Sequence, residues 1–414
     1  MNPGTPSLLR GINDRAALDL LLEHGPLSRS QLGELTGLSK PTAAQLLSRL
    51  ADAGLVITSG NTRGGPGPRA QLYAVNPDAA HVAALDVTPT RILAAVADVT
   101  GRTAGEYELR TPRRAGSDAV VQVLQAVDGA AASAGIRRDR LHRLAIGTPG
   151  AFDPVNRQLR YARHLPGWHD PHLLDRLAEQ LGLPFEVDND VNLAAIAEMS
   201  AGRARGVEDF VLLWADEGLG AAVVIDGRVH GGATGGAGEV GFLPLPGTPL
   251  VRDVRRGNAG GFQELAGGRQ VLALARKLGM RAGTPQAAIT KALATPGAGD
   301  DLLATLAERF ALGIAAVISV IDPSLVVLAG GLLTAGGPRL RDQIAEEVGS
   351  LALTRPRLEL AGVTEHPVLA GALQTALAAT RNEVFDTIQR RPVTAPVHST
   401  APGSSARPVT RREP

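Results

Sequence analysis

The sequence predicts an α/β protein that begins with a winged helix-turn-helix domain and continues into two α/β lobes with a cleft between them. Three observations support this fold class. A helix pair with capping residues and a glycine turn lies near the start of the chain, and a hairpin with a glycine- and proline-rich tip follows it. Strand-like and helix-like segments then alternate through the rest of the chain.

The helix pair lies in the stretch from Leu27 to Val56. Ser28 and Gln31 have the S-x-x-Q spacing of a capping box, which predicts the start of the first helix. Gly37 predicts the left-handed turn between the helices, and Ser39 is placed to cap the second helix. The apolar positions expected to face the core are Leu32, Leu35, Leu38, Leu46, Leu47 and Leu50.

The outward face of the second helix carries side chains that can contact base edges or phosphates. We expect the DNA-contacting residues here to be Ser39, Lys40, Thr42, Gln45 and Arg49. The segment 57–75 predicts a strand, a tip and a returning strand, which together form a wing. Arg63 and Arg69 lie in the tip and suit phosphate or minor-groove contacts. An ordinary small helical bundle is the alternative, since caps and apolar stripes occur there too.

The charge of this first segment indicates how it would bind. Residues 1–75 contain seven lysines and arginines against five aspartates and glutamates. Because each phosphate contact adds only a modest, salt-sensitive increment, one copy should bind weakly. We therefore expect two copies to bind a palindromic operator in double-stranded DNA.

Composition excludes several classes of function. The 414 residues are 44% hydrophobic and carry a net charge of +1, so DNA binding must come from local patches. The absence of cysteine excludes disulfides, thiolate metal sites and cysteine catalysis. No early segment has the pattern of a signal peptide, and the long apolar segments are interrupted, so we expect a cytoplasmic protein without a membrane partner. The last segment, 391–414, is rich in proline, serine and arginine and is predicted to be disordered.

The rest of the chain has the order of two α/β lobes. Three extended segments from His81 to Arg110 predict a three-stranded antiparallel start. A helix at 119–134 and strands at 144–148 and 185–187 complete the first set. The second set begins with strands from Phe210 and includes helices near 270–278, 302–321 and 339–348 and the buried strand SLVVLAGG.

Five motifs follow one another in this body: GTPGAFD at 147, LPGW at 165, EVDNDVNLAAIAE at 186, DGRVHGGATGGAGEVGFLP at 226 and IDPSLVVLAGGL at 321. With them, the chain resembles the ROK family of transcriptional repressors and sugar kinases over about residues 12–380. The resemblance implies an actin-like ATPase fold. It divides the chain into a winged helix-turn-helix domain at 1–78, a small lobe at 79–190 with helix 366–380 returning to it, a large lobe at 191–365 and the tail at 391–414.

The resemblance also assigns roles to residues of the cleft. In the family, the aspartate of an N-D pair takes a proton from the sugar hydroxyl and the asparagine holds the sugar; these positions are Asp190 and Asn189 here. Asp190 has a second interpretation as the cap of a helix at 191–201. Glu239 and Glu264 match family positions that bind sugar hydroxyls.

Two positions of the sugar pocket depart from the family. His164 stands where asparagine is usual, and we keep it as a ligand-binding candidate, while Phe242 replaces a histidine. A polyol site loses affinity when a hydroxyl has no partner, so the effector is a sugar, a different or more apolar molecule, or none. The family's zinc site is also absent, because the segment 252–264 contains no thiol, and we expect no metal.

Both phosphate loops depart from the family pattern as well. The first loop, D-x-G-G-T-K in family kinases, is DVTPTR at 86–91, where Thr88 adds a Cβ and Pro89 removes a donor. The second, G-T-G-x-G in the kinases, is DEGLG at 216–220 and places two carboxylates where a nucleotide's negative charge would lie. We therefore expect no nucleotide cofactor and no phosphoryl transfer, with Asp190 a vestigial catalytic residue.

These inferences predict a DNA-binding transcriptional regulator that acts as a repressor. Its body is expected to resemble a sugar kinase but to be catalytically inactive. The body is expected to form a homodimer or homotetramer and is open to a sugar-like effector. An ATP-dependent sugar kinase with an attached DNA-binding module is the alternative. A third interpretation is a protein that binds no ligand and uses the body only to oligomerise.

Overall fold

The computed structural model describes residues 6–61, 70–111, 118–153, 158–160, 165, 167–168, 170–250 and 260–386. The predictions for Arg63, Arg69, His164 and the tail at 391–414 lie outside these residues.

The N-terminal module is a helix-turn-helix followed by a wing. Its elements are α1 (Pro6–His24), β1 (Leu27–Ser28), α2 (Arg29–Thr36), α3 (Lys40–Asp52), β2 (Val56–Asn61) and β3 (Gln71–Val75). The strands form an antiparallel sheet in the order β1-β3-β2, so β2 and β3 are the two sides of the wing. This arrangement confirms the predicted fold of the module.

Local capping explains where these helices begin and end. The Ser28 hydroxyl accepts the N–H of Gln31, and the Gln31 side chain accepts the N–H of Ser28, which is the predicted capping box. Gly37 ends α2 in the left-handed conformation, with φ of 70°. Leu32, Leu46, Leu47 and Leu50 are buried as predicted, but the prediction for Leu35 is wrong, because half of its surface is exposed to solvent.

The first lobe is built on a five-stranded sheet. Its elements are β4 (His81–Val87), β5 (Arg91–Asp98), β6 (Thr103–Arg110), α4 (Ala119–Ser133), β7 (Leu141–Thr148), β8 (Ala151–Asp153), β9 (Gln158–Arg160), α5 (Leu173–Leu181), β10 (Phe185–Asn189) and α6 (Asp190–Ala201). The sheet order is β10-β7-β4-β5-β6. Strands β4, β5 and β6 form the predicted antiparallel start, while β7 and β10 are added in parallel.

The second lobe has a second five-stranded sheet, in the order β13-β12-β11-β14-β15. Its elements are β11 (Phe210–Ala215), β12 (Leu219–Ile225), β13 (Arg228–Val229), α7 (Gly261–Ala266), α8 (Gly268–Lys277), α9 (Pro285–Leu293), α10 (Ala298–Ile321), β14 (Leu325–Ala329), α11 (Gly331–Leu351) and β15 (Arg357–Leu360). The helix predicted at 339–348 is the second part of α11, which is interrupted by non-helical backbone at Gly337.

Helix α10 is long and apolar enough, by length and composition, to cross a membrane. Its apolar side chains instead fill the core of the second lobe. Leu302, Leu306, Phe310 and Ile314 are buried there, and the Phe310 ring meets Phe262 edge to face, with ring centroids 6.3 Å apart. The composition of α10 therefore reflects a core position.

The last helix, α12 (Pro367–Asp386), returns to the first lobe and packs against β4, β7 and α6. Gly371 allows α12 and α6 to approach closely. A Cβ at this position would lie 1.8 Å from the carbonyl oxygen of Leu193 in α6, closer than any side chain can stand. Because the obstacle is backbone, only displacement of one helix would relieve the contact.

Gly371→Ala is therefore expected to destabilise the protein by about 1–3 kcal/mol, the usual effect of forcing extra atoms into a filled interior. Urea unfolding followed by circular dichroism measures the change. Gly283→Ala is the control, because its Cβ would meet open space. Equal unfolding midpoints for the two variants would contradict the close approach of α6 and α12.

Candidate DNA interface and cleft

The exposed face of α3 covers its first two turns, where Lys40, Thr42 and Gln45 are open to solvent. The Ser39 hydroxyl accepts the N–H of Thr42 at 3.4 Å and lies 2.8 Å from the Thr42 hydroxyl. The Ser39 hydroxyl therefore caps the N-terminus of α3, and the Thr42 hydroxyl is paired with it. Lys40 and Gln45 remain as the longer side chains able to reach a duplex. Ser48, which the sequence analysis did not select, is exposed on the same helix.

Arg49 does not have the outward orientation that was predicted for it. Its guanidinium donates to the carboxylate of Asp14 in α1 over 2.6 Å. The Asp14 side chain is 5% exposed and that of Arg49 is 35% exposed, so the ion pair lies partly inside the module. Arg49 thus joins α3 to α1. It could contact DNA only while keeping its ion pair with Asp14 or by giving that pair up.

A groove of about 490 Å³ lies beside the first turn of α3. The residues that line it are Arg29, Ser30, Lys40, Pro41, Ala44, Ala70, Gln71 and Tyr73. They include two cations and no carboxylate, so the groove favours an anion. The Tyr73 hydroxyl accepts from Arg29 at 3.4 Å and donates to Gln71 at 3.0 Å, which links α2 to the wing strand β3.

The sequence analysis missed Arg29, Gln71 and Tyr73. Two local signals could have identified them. Arg29 is the first residue of α2, directly after the capping serine, and Gln71 and Tyr73 are two positions apart on β3 and so face the same side of the wing.

The cleft contains the N-terminus of α6, and Asn189 is the residue that caps it. Its side-chain oxygen accepts the N–H groups of Val191 and Asn192, and its amide donates to the carbonyl of Gly150 at 3.0 Å. The interpretation of Asp190 as the cap is therefore wrong; Asp190 is the first residue of the helix. Most of the hydrogen-bonding capacity of Asn189 is used within the protein.

Asp190 lies near two other carboxylates of the cleft, Asp86 near the end of β4 and Glu239 after β13. Burial raises the pKa of Asp190 from 3.8 to about 7; the Val191 N–H opposes this shift, and the charges of Asp86 and Glu239 add to it. Burial also raises the pKa of Asp86, against the effects of Arg91 and His366, and that of Glu239. All three carboxyl groups therefore hold their protons to higher pH than they would in water.

The first phosphate loop is closed on itself. Thr88 donates its N–H to the Arg91 carbonyl at 2.8 Å, and its hydroxyl also donates to that carbonyl and accepts the Arg91 N–H. The Pro89 carbonyl accepts from the hydroxyl of Thr111 at 3.3 Å. The backbone that would surround a phosphate is therefore a tight turn with its own partners.

The second phosphate loop already contains an anion. The Asp216 carboxylate accepts from Gln286 at 2.6 Å and from the N–H of Gly331, the first residue of α11, at 3.3 Å. Gln263 accepts the N–H of Leu219 at 2.8 Å and donates to the Glu217 carbonyl at 2.9 Å. The backbone N–H of Leu219, which could bind a phosphate, is thus already paired with a side chain. The N-terminus of α11, which is suited to an anion, already binds the carboxylate of Asp216.

Glu264 and the neighbouring Phe262 both have partners within the second lobe. Glu264 accepts from Gln270 at 2.5 Å, and Phe262 is fully buried in the second-lobe core. Among the residues that the structure describes, no three histidine, aspartate or glutamate side chains are placed to hold one metal ion. The residues present therefore do not fit the family's zinc site, whose thiolates the sequence lacks.

Comparison with known proteins identifies both parts of the chain. Residues 82–379 match the ROK family and residues 13–64 match the MarR family of helix-turn-helix proteins. The chain belongs to the ROK family. As a ROK protein with a winged helix-turn-helix, it has the fold that the sequence predicted.

The ROK relatives include regulators and kinases. The xylose repressor of Caldicellulosiruptor bescii is 23% identical over 91% of this chain and 98% of its own length. A ROK transcriptional regulator described as a homolog of the Escherichia coli MLC protein shares the fold over 92% of this chain and 100% of its own, with TM-score 0.72 and 19% identity. A ROK hexokinase from Thermus thermophilus covers 73% of this chain and 99% of its own, with TM-score 0.62 and 28% identity.

The raised pKa of Asp190 predicts a pH-dependent stability. Between pH 4 and about pH 7 the folded protein keeps a proton that the unfolded chain has released, so this group makes stability fall as the pH rises. Asp190→Asn should therefore raise the melting temperature more at pH 8 than at pH 5, by about 2–4 °C for each kcal/mol gained. Differential scanning calorimetry across this range measures the effect.

Asp52→Asn, at an exposed position of α3, is the control for loss of one carboxylate. Parallel pH profiles for Asp190→Asn and the wild type would contradict the assigned pKa.

Proposed function

We propose that this protein is a transcriptional regulator, a repressor in sign, that binds a palindromic operator in the cytoplasm as a homodimer or homotetramer. The observation that carries the proposal is the exposed first turn of α3 beside a cationic groove, on a winged helix-turn-helix joined to a ROK body. The xylose repressor aligns with this chain over 98% of its own length, which supports the regulatory function.

The DNA side of the proposal divides the contacts into two kinds. Lys40, Thr42 and Gln45 are placed on the exposed face of α3, where an amide or a cation can bind base edges in the major groove. Arg29 and Tyr73 lie in the neighbouring groove and suit phosphates of the adjacent strand. We also propose that this backbone contact extends to Arg63 and Arg69, which lie between β2 and β3 in the sequence.

The body is proposed to be inactive as a kinase. Asp216 supplies negative charge at the N-terminus of α11, and the Gln263 side chain uses amide and carbonyl groups of the second loop. An incoming triphosphate would have to displace these contacts and face the exposed Glu217 carboxylate. This arrangement favours a cleft that binds no nucleotide.

The body is also proposed to sense a sugar-like effector. The side chains of Asp86 and Glu239 accept no hydrogen bond from the residues that the structure describes, although Asp86 is only 8% exposed. Carboxylates that face the cleft and receive no donor from the described residues favour a ligand with several hydroxyl groups. The further residues that we propose to contact this effector are Asp190, Asn189, Glu264 and His164.

Gln45→Ala is expected to weaken binding to a selected operator by about 1–3 kcal/mol and to relax the sequence preference at one base pair. Arg29→Ala should weaken binding to all duplexes alike and reduce the slope of log affinity against log salt by about 1, because one phosphate contact is lost. Fluorescence anisotropy at four salt concentrations measures both effects.

The controls are Gln180→Ala and Arg205→Ala, which remove the same side chains from exposed positions of the body. Wild-type affinity and sequence preference in Gln45→Ala would remove α3 from the proposed interface.

Nucleotide and sugar binding can be tested in one series. Thermal shift with a panel of sugars and sugar phosphates should show a rise in melting temperature for at least one of them, since a ligand that binds only the folded state stabilises it. Mg²⁺-ATP should cause no rise and no release of ADP. Release of ADP that requires a sugar and is lost in Asp190→Asn would establish the kinase alternative in place of the inactive body.

A further inference from the structure

The C-terminal end of α12 is part of the hydrophobic core of the DNA-binding module. Phe385 is 2% exposed and belongs to the same buried cluster as Leu18, Leu21 and Val75. Val99, from the turn between β5 and β6, joins that cluster as well. The module's core is therefore completed by three buried residues of the body, Ala80, Val99 and Phe385.

Polar contacts around Phe385 join α12 to α1. Arg15 donates to the side-chain oxygen of Asn382 at 2.9 Å, and its guanidinium lies 5.4 Å from the centre of the Phe385 ring. Asp19 pairs with Arg15 at 3.0 Å and so orients it. A cation over a buried ring, with a hydrogen bond and an ion pair, fixes the direction of α12 relative to α1.

The next contact connects α1 to the recognition helix. Asp14, adjacent to Arg15, accepts from Arg49 of α3 at 2.6 Å. Neighbouring residues of α1 therefore bind two different partners, one in α12 and one in α3. A rotation of α1 would strain both contacts at once.

The opposite end of α12 contacts the helix that begins in the cleft. Gly371 lies against the backbone of Leu193 in α6, and Val368 and Leu369 are buried in one cluster with Leu193. Leu193 is three residues from Asp190, so this contact is within one turn of the cleft carboxylates. With 20 residues, α12 spans about 30 Å between the two ends.

We propose that Asn382 and Phe385 are positioning residues that join α12 to the DNA-binding module, and that α12 couples the orientation of α6 in the cleft to that of α3. This inference rests on the proposed DNA binding. The helix acts as a rigid connection: its first turns follow α6, its last turn follows α1, and α1 fixes Arg49 and with it the recognition helix.

Thermodynamic reciprocity allows a test that needs no effector. If the state of the cleft changes the position of α3, then DNA bound to α3 must change the state of the cleft. A role of Phe385 in stabilising the module alone would not produce this long-range response.

The experiment is hydrogen exchange of the full chain with and without a saturating operator duplex, obtained by selection from random DNA. In the wild type, DNA should slow exchange in α3 and change exchange at the start of α6 by about fivefold or more. Asn382→Ala, which removes only one hydrogen bond, and Phe385→Ala should keep the protection of α3 and lose most of the response in α6. Gln180→Ala is the control and should keep both.

An unchanged α6 in the DNA-bound wild type, or a full α6 response in Asn382→Ala with α3 protected, would overturn the coupling. If Phe385→Ala fails to fold, as unprotected exchange in α10 would show, Asn382→Ala decides the question. Absence of α3 protection in the wild type would instead overturn the proposed DNA binding, on which the coupling depends.

Discussion

The contacts of α12 determine how the DNA-binding module is held on the body. One side of this helix lies on the sheet of the first lobe and on α6, where Gly371 permits direct contact with backbone. Its last turn enters the module and contributes Phe385 to the module's core. Because a helix is stiff over 20 residues, the module and the cleft share one rigid element, and each constrains the position of the other.

The cleft combines a cluster of carboxylates on one side with an internal anion on the other. The fold still brings Asp86, Asp190 and Glu239 together from three separate elements, and burial keeps their protons bound to higher pH than usual. At the nucleotide side, Asp216 takes the place of an external anion at the start of α11. In the proposed sensor, the carboxylate side of the cleft would bind the hydroxyl groups of an effector, and the nucleotide side would bind no phosphate.

The sequence predicted the features that depend on local spacing. The capping box of Ser28 and Gln31 and the turn at Gly37 follow from residues a few positions apart, and each was confirmed. The predictions failed where a distant partner decides the outcome. Arg49 faces Asp14, 35 positions earlier, and Asn189 takes the cap because it also reaches Gly150.

The apolar pattern of α2 and α12 was also insufficient. Leu35 fits a helical stripe, yet no neighbouring element of the described structure covers it, so it stays half exposed. Phe385 stands at the end of its helix and its burial depends on α1, more than 360 positions earlier in the chain. Such contacts follow from how the elements assemble, which spacing within one element does not determine.

Selection of binders from a random DNA pool by the 414-residue protein, followed by sequencing, tests most directly whether the exposed face of α3 recognises a specific duplex. We expect an enriched inverted repeat whose half-sites lie one helical turn, about 10–10.5 base pairs, or a multiple of it apart. Recovery of sequences indistinguishable from the starting pool would contradict it.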